Sequence, residues 1–371
     1  MKKILMVTGS LNTGGLEIFA VNTAELLQKQ NYQFDFLIFN NQKQDLEEKV
    51  KKMGGNVIRI DNPKKGYIKF QKNFKKIIRE YGPYDIVHSH LYYVSGIILK
   101  ISKKLNIKTC IAHSHSIQRK SDKRIIKKIV HRHLQHRLNK YSDYKLACSY
   151  EAGINLFGYK EFNKSGIVVP NPINIDKFLF NKLQREKIRK SLNISKEKLV
   201  IGQVGRLADD KNQFFLLDIL KKYNENNDAI LLLVGDGPLK KSLQQYAAKI
   251  GIEKNVLFLG KRSDVNDLLS AMDIFVMTSL HEGLGMVILE AIANGLKCIC
   301  EEHAVVEQIK RINNCISIKG FNVDDWVKTI EKHAEREKDN SYIKTSLVNY
   351  SEERFVEIMN NIYKSEVENN E

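Results

Sequence analysis

Glu282 and Glu290 stand with seven residues between them in the segment Ser279-Leu280-His281-Glu282-Gly283-Leu284-Gly285-Met286-Val287-Ile288-Leu289-Glu290-Ala291. The apolar run Ile274 to Met277 before them reads as a strand, which puts Glu282 in a glycine-containing loop and Glu290 about one turn into the next helix. One carboxylate can then face a reacting group while the other accepts hydrogen bonds from hydroxyls. Glu290 is flanked by Leu289 and Ala291 in an otherwise apolar helix. An unpaired buried carboxylate is costly, so a partner or a ligand is expected for it.

A second candidate is Gly205-Arg206-Leu207-Ala208-Asp209-Asp210-Lys211-Asn212, where a strand ends and a helix begins. Arg206 and Lys211, five residues apart across the turn, can neutralise a departing diphosphate. Alone, such a pair also fits a solvated loop. A third is the glycine loop Thr8-Gly9-Ser10-Leu11-Asn12-Thr13-Gly14-Gly15, with a helix expected from about Gly15. Glycines there let backbone amides approach a phosphate at the positive end of a helix. The order is not the G-x-G-x-x-G fingerprint, and a tight strand-to-helix turn is the competing reading. His88-x-His90 and His113-x-His115 each put two rings on one face of a strand end, with His131, His133 and His136 following. No Cys or carboxylate completes a zinc set at recognised spacing. No metal site is predicted, and His88 reads as a satisfied strand-end residue.

The elements that must position these groups alternate along the chain. Apolar runs at Ile4 to Val7, Phe34 to Phe39, Val57 to Ile60, Asp85 to Val87, Thr109 to Ala112, Tyr144 to Ala147 and Ile167 to Val169 read as buried strands separated by helical spacing. A second series runs through Leu199 to Val204, Ala229 to Val234, Val256 to Leu259, Ile274 to Met277, Cys298 to Cys300 and Ile316 to Ile318. Strands alternating with helices give parallel sheets with right-handed crossovers. The fold class is therefore α/β, with two doubly wound, Rossmann-like domains facing across a cleft. Val169-Pro170-Asn171-Pro172 breaks both helix and strand. That places one domain at 1–170 and the other at 171–350, with a final helix over 351–371 whose Phe355, Ile358, Met359 and Ile362 can pack back on the first.

The 371 residues suit two domains, each with its own core. Only 5 prolines, 21 glycines and 43% hydrophobic residues exclude disordered and fibrous classes. Five cysteines without a C-x-x-C pair imply neither a disulfide framework nor a zinc ribbon. The start of the chain holds too few apolar residues for a signal-peptide core, and no run is long enough to span a membrane. The formal charge of +17 lies wholly before Asn171, where 31 Lys and Arg meet 13 Asp and Glu, against 29 and 30 from Asn171 onward. Ten of those cations are Arg119, Lys120, Lys123, Arg124, Lys127, Lys128, Arg132, Arg137, Lys140 and Lys145, interleaved with Ile125, Ile126, Ile129, Val130, Leu134 and Leu138 at helical spacing. This is either a solvated surface helix or one that lies on anionic lipid, the membrane-contact set then being Arg119 to Arg132.

Taken in order, Gly-Gly-Leu-Glu, Gly-Arg-Leu-x3-Lys-Asn, Gly235-Asp236-Gly237-Pro238-Leu239 and Glu282-x7-Glu290 resemble the group 1 retaining glycosyltransferases of GT-B fold across essentially the whole chain. Within that family the sequence is similar to bacterial enzymes of capsule, exopolysaccharide and other surface-glycan assembly. The resemblance implies that Arg206 and Lys211 bind the donor diphosphate and that Glu290 holds the ribose hydroxyls. It places Glu282, with Gly283 and Leu284, at the donor sugar, and Gly14 and Gly15 at the phosphate and reaction centre. The family's first-domain histidine is His113 or His115; spacing does not decide between them. No cofactor and no metal ion are implied, the nucleotide-sugar being a substrate. Asn174 stands where the family commonly has an acid, Lys297 where it has proline, and the usual Gly-Gly turn is absent from Glu301 to Glu307.

The expected protein is a retaining glycosyltransferase, peripheral at the cytoplasmic face of the membrane. It would move a sugar from a nucleotide donor, UDP-linked by expectation, to a lipid-diphosphate-linked or growing glycan. The alternatives are a non-catalytic nucleotide-sugar-binding subunit, which the two glutamates argue against, and a basic nucleic-acid-binding protein. The latter lacks any binding signature and interleaves no aromatics with its basic cluster, so no nucleic-acid partner is expected.

Overall fold

The computed structural model describes residues 1–12, 14–115, 125–280, 285–334 and 342–365, with backbone alone over 125–130. The chain forms two compact units. One comprises Met1–Asn171 with the chain from Glu352 onward, the other Pro172–Ser351.

In the first unit seven parallel strands, β1 (Lys2–Gly9), β2 (Tyr32–Ile38), β3 (Val57–Arg59), β4 (Ile86–Ser89), β5 (Thr109–Ser114), β6 (Tyr144–Ala147) and β7 (Gly166–Val168), lie in the order β3-β2-β1-β4-β5-β6-β7. The second unit has six, β8 (Leu199–Val204), β9 (Ala229–Val234), β10 (Val256–Gly260), β11 (Ile274–Met277), β12 (Lys297–Glu301) and β13 (Cys315–Ile318), ordered β10-β9-β8-β11-β12-β13. All thirteen expected strands are present. They read as unbroken apolar runs because helices cover both faces of a parallel sheet, and every residue of β9 is buried.

Strand order reverses beside the first strand of each sheet, between β1 and β4 and between β8 and β11. Loops leaving these strands diverge to opposite faces and leave a crevice at the carboxyl ends, where ligands of doubly wound sheets bind. β1 and β8 deliver the glycine loop and the Arg206–Lys211 loop to these two points; β4 delivers His88 and His90, and β11 leads to the Glu282 segment.

The C-terminal helix Glu352–Lys364 belongs to the first unit through one face. Phe355, Met359, Ile362 and Tyr363 are buried with Ile4, Met6, Phe34 and Phe36 of β1 and β2. Tyr32 Oη donates to Asn360 Oδ1 at 2.7 Å, and Lys2 Nζ donates to the Tyr363 carbonyl at 3.0 Å. In the second unit, Asp273 fixes the start of β11: its carboxylate takes Arg185 and Arg189 together and accepts from the Val200 amide at 2.8 Å. All five cysteines are buried, and none is in a disulfide. Among the described residues no helix is long and apolar enough to cross a membrane.

Candidate active site

In the second unit the loop after β8 is held from three sides. Gln213 Nε2 donates to the Arg206 carbonyl at 3.0 Å, and the Thr278 hydroxyl, just past β11, lies 3.0 Å from the carbonyls of both Lys211 and Asn212. Asn212 turns the chain into the next helix from the left-handed region, φ 51°. The third support explains the Gly235-Asp236-Gly237 motif. Gly235 has φ 137°, and a Cβ there would sit 1.9 Å from the Gly205 carbonyl oxygen; one on Gly237 would sit 2.2 Å from that of Leu207. The Leu207 amide donates to the Asp236 carbonyl at 3.1 Å. These glycines thus let β9's exit loop press flat against the loop that carries Arg206 and Lys211. Arg206 is exposed, Lys211 partly buried with Asp210 at 4.0 Å.

The Leu280 amide donates to the Asp210 carbonyl at 2.8 Å, so the chain enters segment 281–284 tied to the Arg206–Lys211 loop. Glu282, Gly283 and Leu284 lie outside the described residues. The chain resumes at Gly285, φ 70°, which starts the helix Met286–Ala293. Five apolar side chains of that helix, Ile288, Leu289, Ala291, Ile292 and Ala293, are buried, and the partly buried Glu290 is carried among them. Burial pushes its carboxyl up to about 7, against a smaller downward pull from the Lys177 ammonium. No described side chain hydrogen-bonds or ion-pairs with it. Asn174, in place of the family's acid, caps the short helix that carries Lys177, accepting from that residue's amide at 2.9 Å. Lys297 simply opens β12. In place of the Gly-Gly turn, the Glu301 carboxylate accepts from the His303 amide at 2.6 Å.

In the first unit Gly14 caps the helix Gly15–Leu27, and Ser10 Oγ donates to the Glu17 carboxylate. The two glycines differ. A Cβ on Gly14 would meet Glu17 Oε2 at 2.3 Å, whereas one on Gly15 would meet nothing within 4 Å. Packing among the described residues does not require glycine at position 15.

His113 and His115 belong to a cluster that spacing alone did not reveal. His88 and His90 at the end of β4 face them across the strand pair, all on the sheet face covered by Phe19 and the C-terminal helix. His88 Nδ1 lies 2.8 Å from Tyr363 Oη and its Nε2 3.2 Å from His113 Nδ1; His90 Nδ1 lies 2.7 Å from His115 Nε2. Burial holds all four imidazoles far below their usual range, His88 and His115 at about 3. His113 Nε2, His115 Nδ1 and His90 Nε2 are buried with no hydrogen-bond partner. His88 is thus fully paired, as a strand-end residue should be. His88, His90 and His113 present nitrogens within 4.8 Å of one another, near enough to converge on an ion, but both nitrogens of His88 and one of His113 are already engaged in hydrogen bonds. Tyr363, 275 residues from His88, carried no sequence signal except its place on the apolar face of the last helix.

Of the membrane-contact residues, Arg119, Lys120, Lys123 and Arg124 lie outside the described residues, as do the side chains of Lys127 and Lys128. The helix Ile125–Tyr141 is present; Arg132 is exposed, and Leu138 is buried against Gly96 of a neighbouring helix.

Residues 184–346 match the family described as Glycosyl transferases group 1, and residues 13–177 match Glycosyltransferase Family 4. The chain is 28% identical to the putative glycosyltransferase EpsF of Bacillus subtilis (strain 168), over 99% of its own length and 97% of that protein's. It is 32% identical to the UDP-Gal:alpha-D-GlcNAc-diphosphoundecaprenol alpha-1,3-galactosyltransferase of Escherichia coli, over 64% of this chain and 61% of that one. Its fold matches that of Anabaena Alr3699/HepE in complex with UDP, with a TM-score of 0.80 at 19% identity over 98% and 99% of the two chains. That likeness establishes the GT-B fold class. The chain is also 26% identical to the capsular polysaccharide biosynthesis glycosyltransferase CapH of Staphylococcus aureus, over 92% of this chain and 93% of that one. Two family models that together span most of the sequence, with relatives matched over nearly their whole length, place this chain among the group 1 glycosyltransferases, as a glycosyltransferase of bacterial polysaccharide biosynthesis.

Proposed function

We propose that the protein is a retaining hexosyltransferase that moves a sugar from a UDP-linked donor to a lipid-diphosphate-linked or growing glycan acceptor of a surface polysaccharide. The observation that carries this reading is Glu290, a partly buried carboxylate with no hydrogen-bonding partner among the described residues. It sits in the helix after β11, in the unit whose β8 loop presents Arg206 and Lys211. A ribose supplies the hydroxyls that such a carboxylate lacks, and the two cations take the negative charge that builds on the departing diphosphate. With Arg206, Lys211 and helix amides in that role, the reaction needs no metal ion. Glu282 orients the donor sugar and supports its oxocarbenium-like state, with Gly283 and Leu284 as further donor-binding residues. In the first unit the proposed site residues are Gly14 and Gly15, at the start of a helix where a phosphate can approach, and His113 or His115. Departure and attack share one face, with the leaving phosphate accepting the acceptor's proton.

The UDP bound in the HepE complex, and the UDP-galactose donor and diphosphoundecaprenol acceptor of the E. coli relative, support the choice of carrier and acceptor. The basic surplus before Asn171 supports a peripheral site at the cytoplasmic membrane face, where each cation close to anionic lipid contributes about 1 kcal/mol. Nucleic acid is not a partner in this reading.

Turnover of a panel of UDP- and GDP-sugars with a diphosphate-lipid acceptor tests the proposal, with Glu282→Gln as the control. Transfer with retained anomeric configuration that the variant abolishes, its fold intact, is the expected result. Full transfer by the variant, or no thermal shift with any nucleotide at concentrations where saturation would add about 2.7 kcal/mol, refutes it.

A further inference from the structure

Tyr363 reaches from the C-terminal helix to the rear of the histidine cluster, and its hydroxyl touches one ring nitrogen, His88 Nδ1, at 2.8 Å. We propose that Tyr363 and His88 are positioning residues that hold His113 in the neutral tautomer with its proton on Nε2, so that His113 offers a ligand oxygen a hydrogen-bond donor and not a base. The inference rests on the reading of His113 as a site residue.

The direction of the chain follows from what each atom can do. A phenol carries one hydrogen, and His88 Nδ1 is the acceptor placed to take it among the described residues. Were Nδ1 the donor instead, the hydroxyl hydrogen of a fully buried tyrosine would be left without an acceptor, the more costly arrangement. With Nδ1 accepting, the proton of neutral His88 sits on Nε2, which faces His113 Nδ1 at 3.2 Å. His113 Nδ1 must then accept, and the one remaining proton of that ring falls on Nε2. Both rings are fully buried, which keeps them neutral. His113 Nε2 is itself buried without a partner, as an N–H reserved for an incoming oxygen would be. The other pair, His90 Nδ1 with His115 Nε2 at 2.7 Å, is tied to no hydroxyl and has no such fixed direction. A donor histidine also suits a reaction in which the leaving phosphate, not a side chain, takes the acceptor's proton.

Two-bond proton–nitrogen correlation spectra of the full chain labelled with 15N-histidine read the tautomer directly, with His113→Gln used to assign its signals. The expected spectrum has a pyridine-like Nδ1 and a pyrrole-like Nε2 for His113. Tyr363→Phe keeps the ring packed on Tyr32 and Phe34 and should mix the two tautomers. His88→Met should do the same, whereas His88→Gln, whose amide NH2 can stand in for Nε2–H, should restore the wild-type pattern and most of the transfer rate lost in His88→Met. That loss is expected to be about tenfold, the worth of one hydrogen bond. A His113 protonated on Nδ1, or a pattern indifferent to Tyr363→Phe and His88→Met, overturns the proposal. So does stoichiometric zinc in the protein as purified, held by the three nitrogens that lie within 4.8 Å. Because the spectra need no turnover, full activity in His113→Ala with the expected tautomer pattern would remove the site role of His113 and leave the tautomer assignment standing.

Discussion

Replacing Glu290 with glutamine should stabilise the second unit and weaken nucleotide binding at the same time. The carboxyl is raised from an ordinary 4.5 to about 7 by burial. Each pK unit corresponds to about 1.36 kcal/mol, so keeping this group ionised in the fold costs about 3 kcal/mol relative to the unfolded chain. Between pH 4.5 and 7 the native state holds a proton that the unfolded chain has released. Stability therefore declines as pH rises through that window and levels off above about 7. Glutamine does not titrate, so the advantage of Glu290→Gln should grow from near zero at pH 4.5 to at most about 3 kcal/mol at pH 8. Urea unfolding followed by fluorescence of Trp326, the one tryptophan of the chain and part of the second unit's core, measures this in the right unit. Calorimetric titration with UDP supplies the other half. If the ionised carboxylate takes the ribose hydroxyls, wild-type affinity should fall about tenfold more than that of the variant between pH 8 and pH 6, following the ionised fraction of a group titrating near 7. UDP's own phosphate titration is common to both proteins and cancels in the comparison. A stability difference that stays constant across pH, or UDP affinities that move in parallel, would refute the reasoning.

Two glycines should separate packing from function. Gly15→Ala puts its methyl in open space and should leave the melting temperature unchanged while slowing transfer at least tenfold; Gly235→Ala drives a Cβ to 1.9 Å from the Gly205 carbonyl and should destabilise the second unit by about 2 kcal/mol or more, read again by Trp326 unfolding. Arg206→Ala and Lys211→Ala should each weaken UDP binding by about tenfold with uridine binding little changed, since each removes a charge from the phosphate and none from the nucleoside. Equal loss for UDP and uridine would place those cations elsewhere.

Pattern that is local in sequence carried most of the architecture. Parallel strands buried on both faces are short apolar runs between amphipathic helices, and each such run here became a strand. The ordered motifs likewise follow particular strands: each doubly wound sheet has one switch point, at the exits of β1 and β4 in the first and of β8 and β11 in the second, and in the sequence Gly14, His90, Arg206 and Glu282 each come after one of those strands. Spacing along the chain also shows that Glu290 lies in an apolar helix. What spacing cannot supply is a distance between residues far apart in the chain. Only the tertiary structure pressed Gly235 against Gly205, left Gly15 in open space, and buried Glu290 until its carboxyl rose to about 7. Only it brought Tyr363 within 2.8 Å of His88, because the last helix buries an apolar face on β1 and β2 and so carries a hydroxyl to the back of β4. Two histidine pairs that looked alike in sequence are thereby made different, one directed by a phenol and the other not.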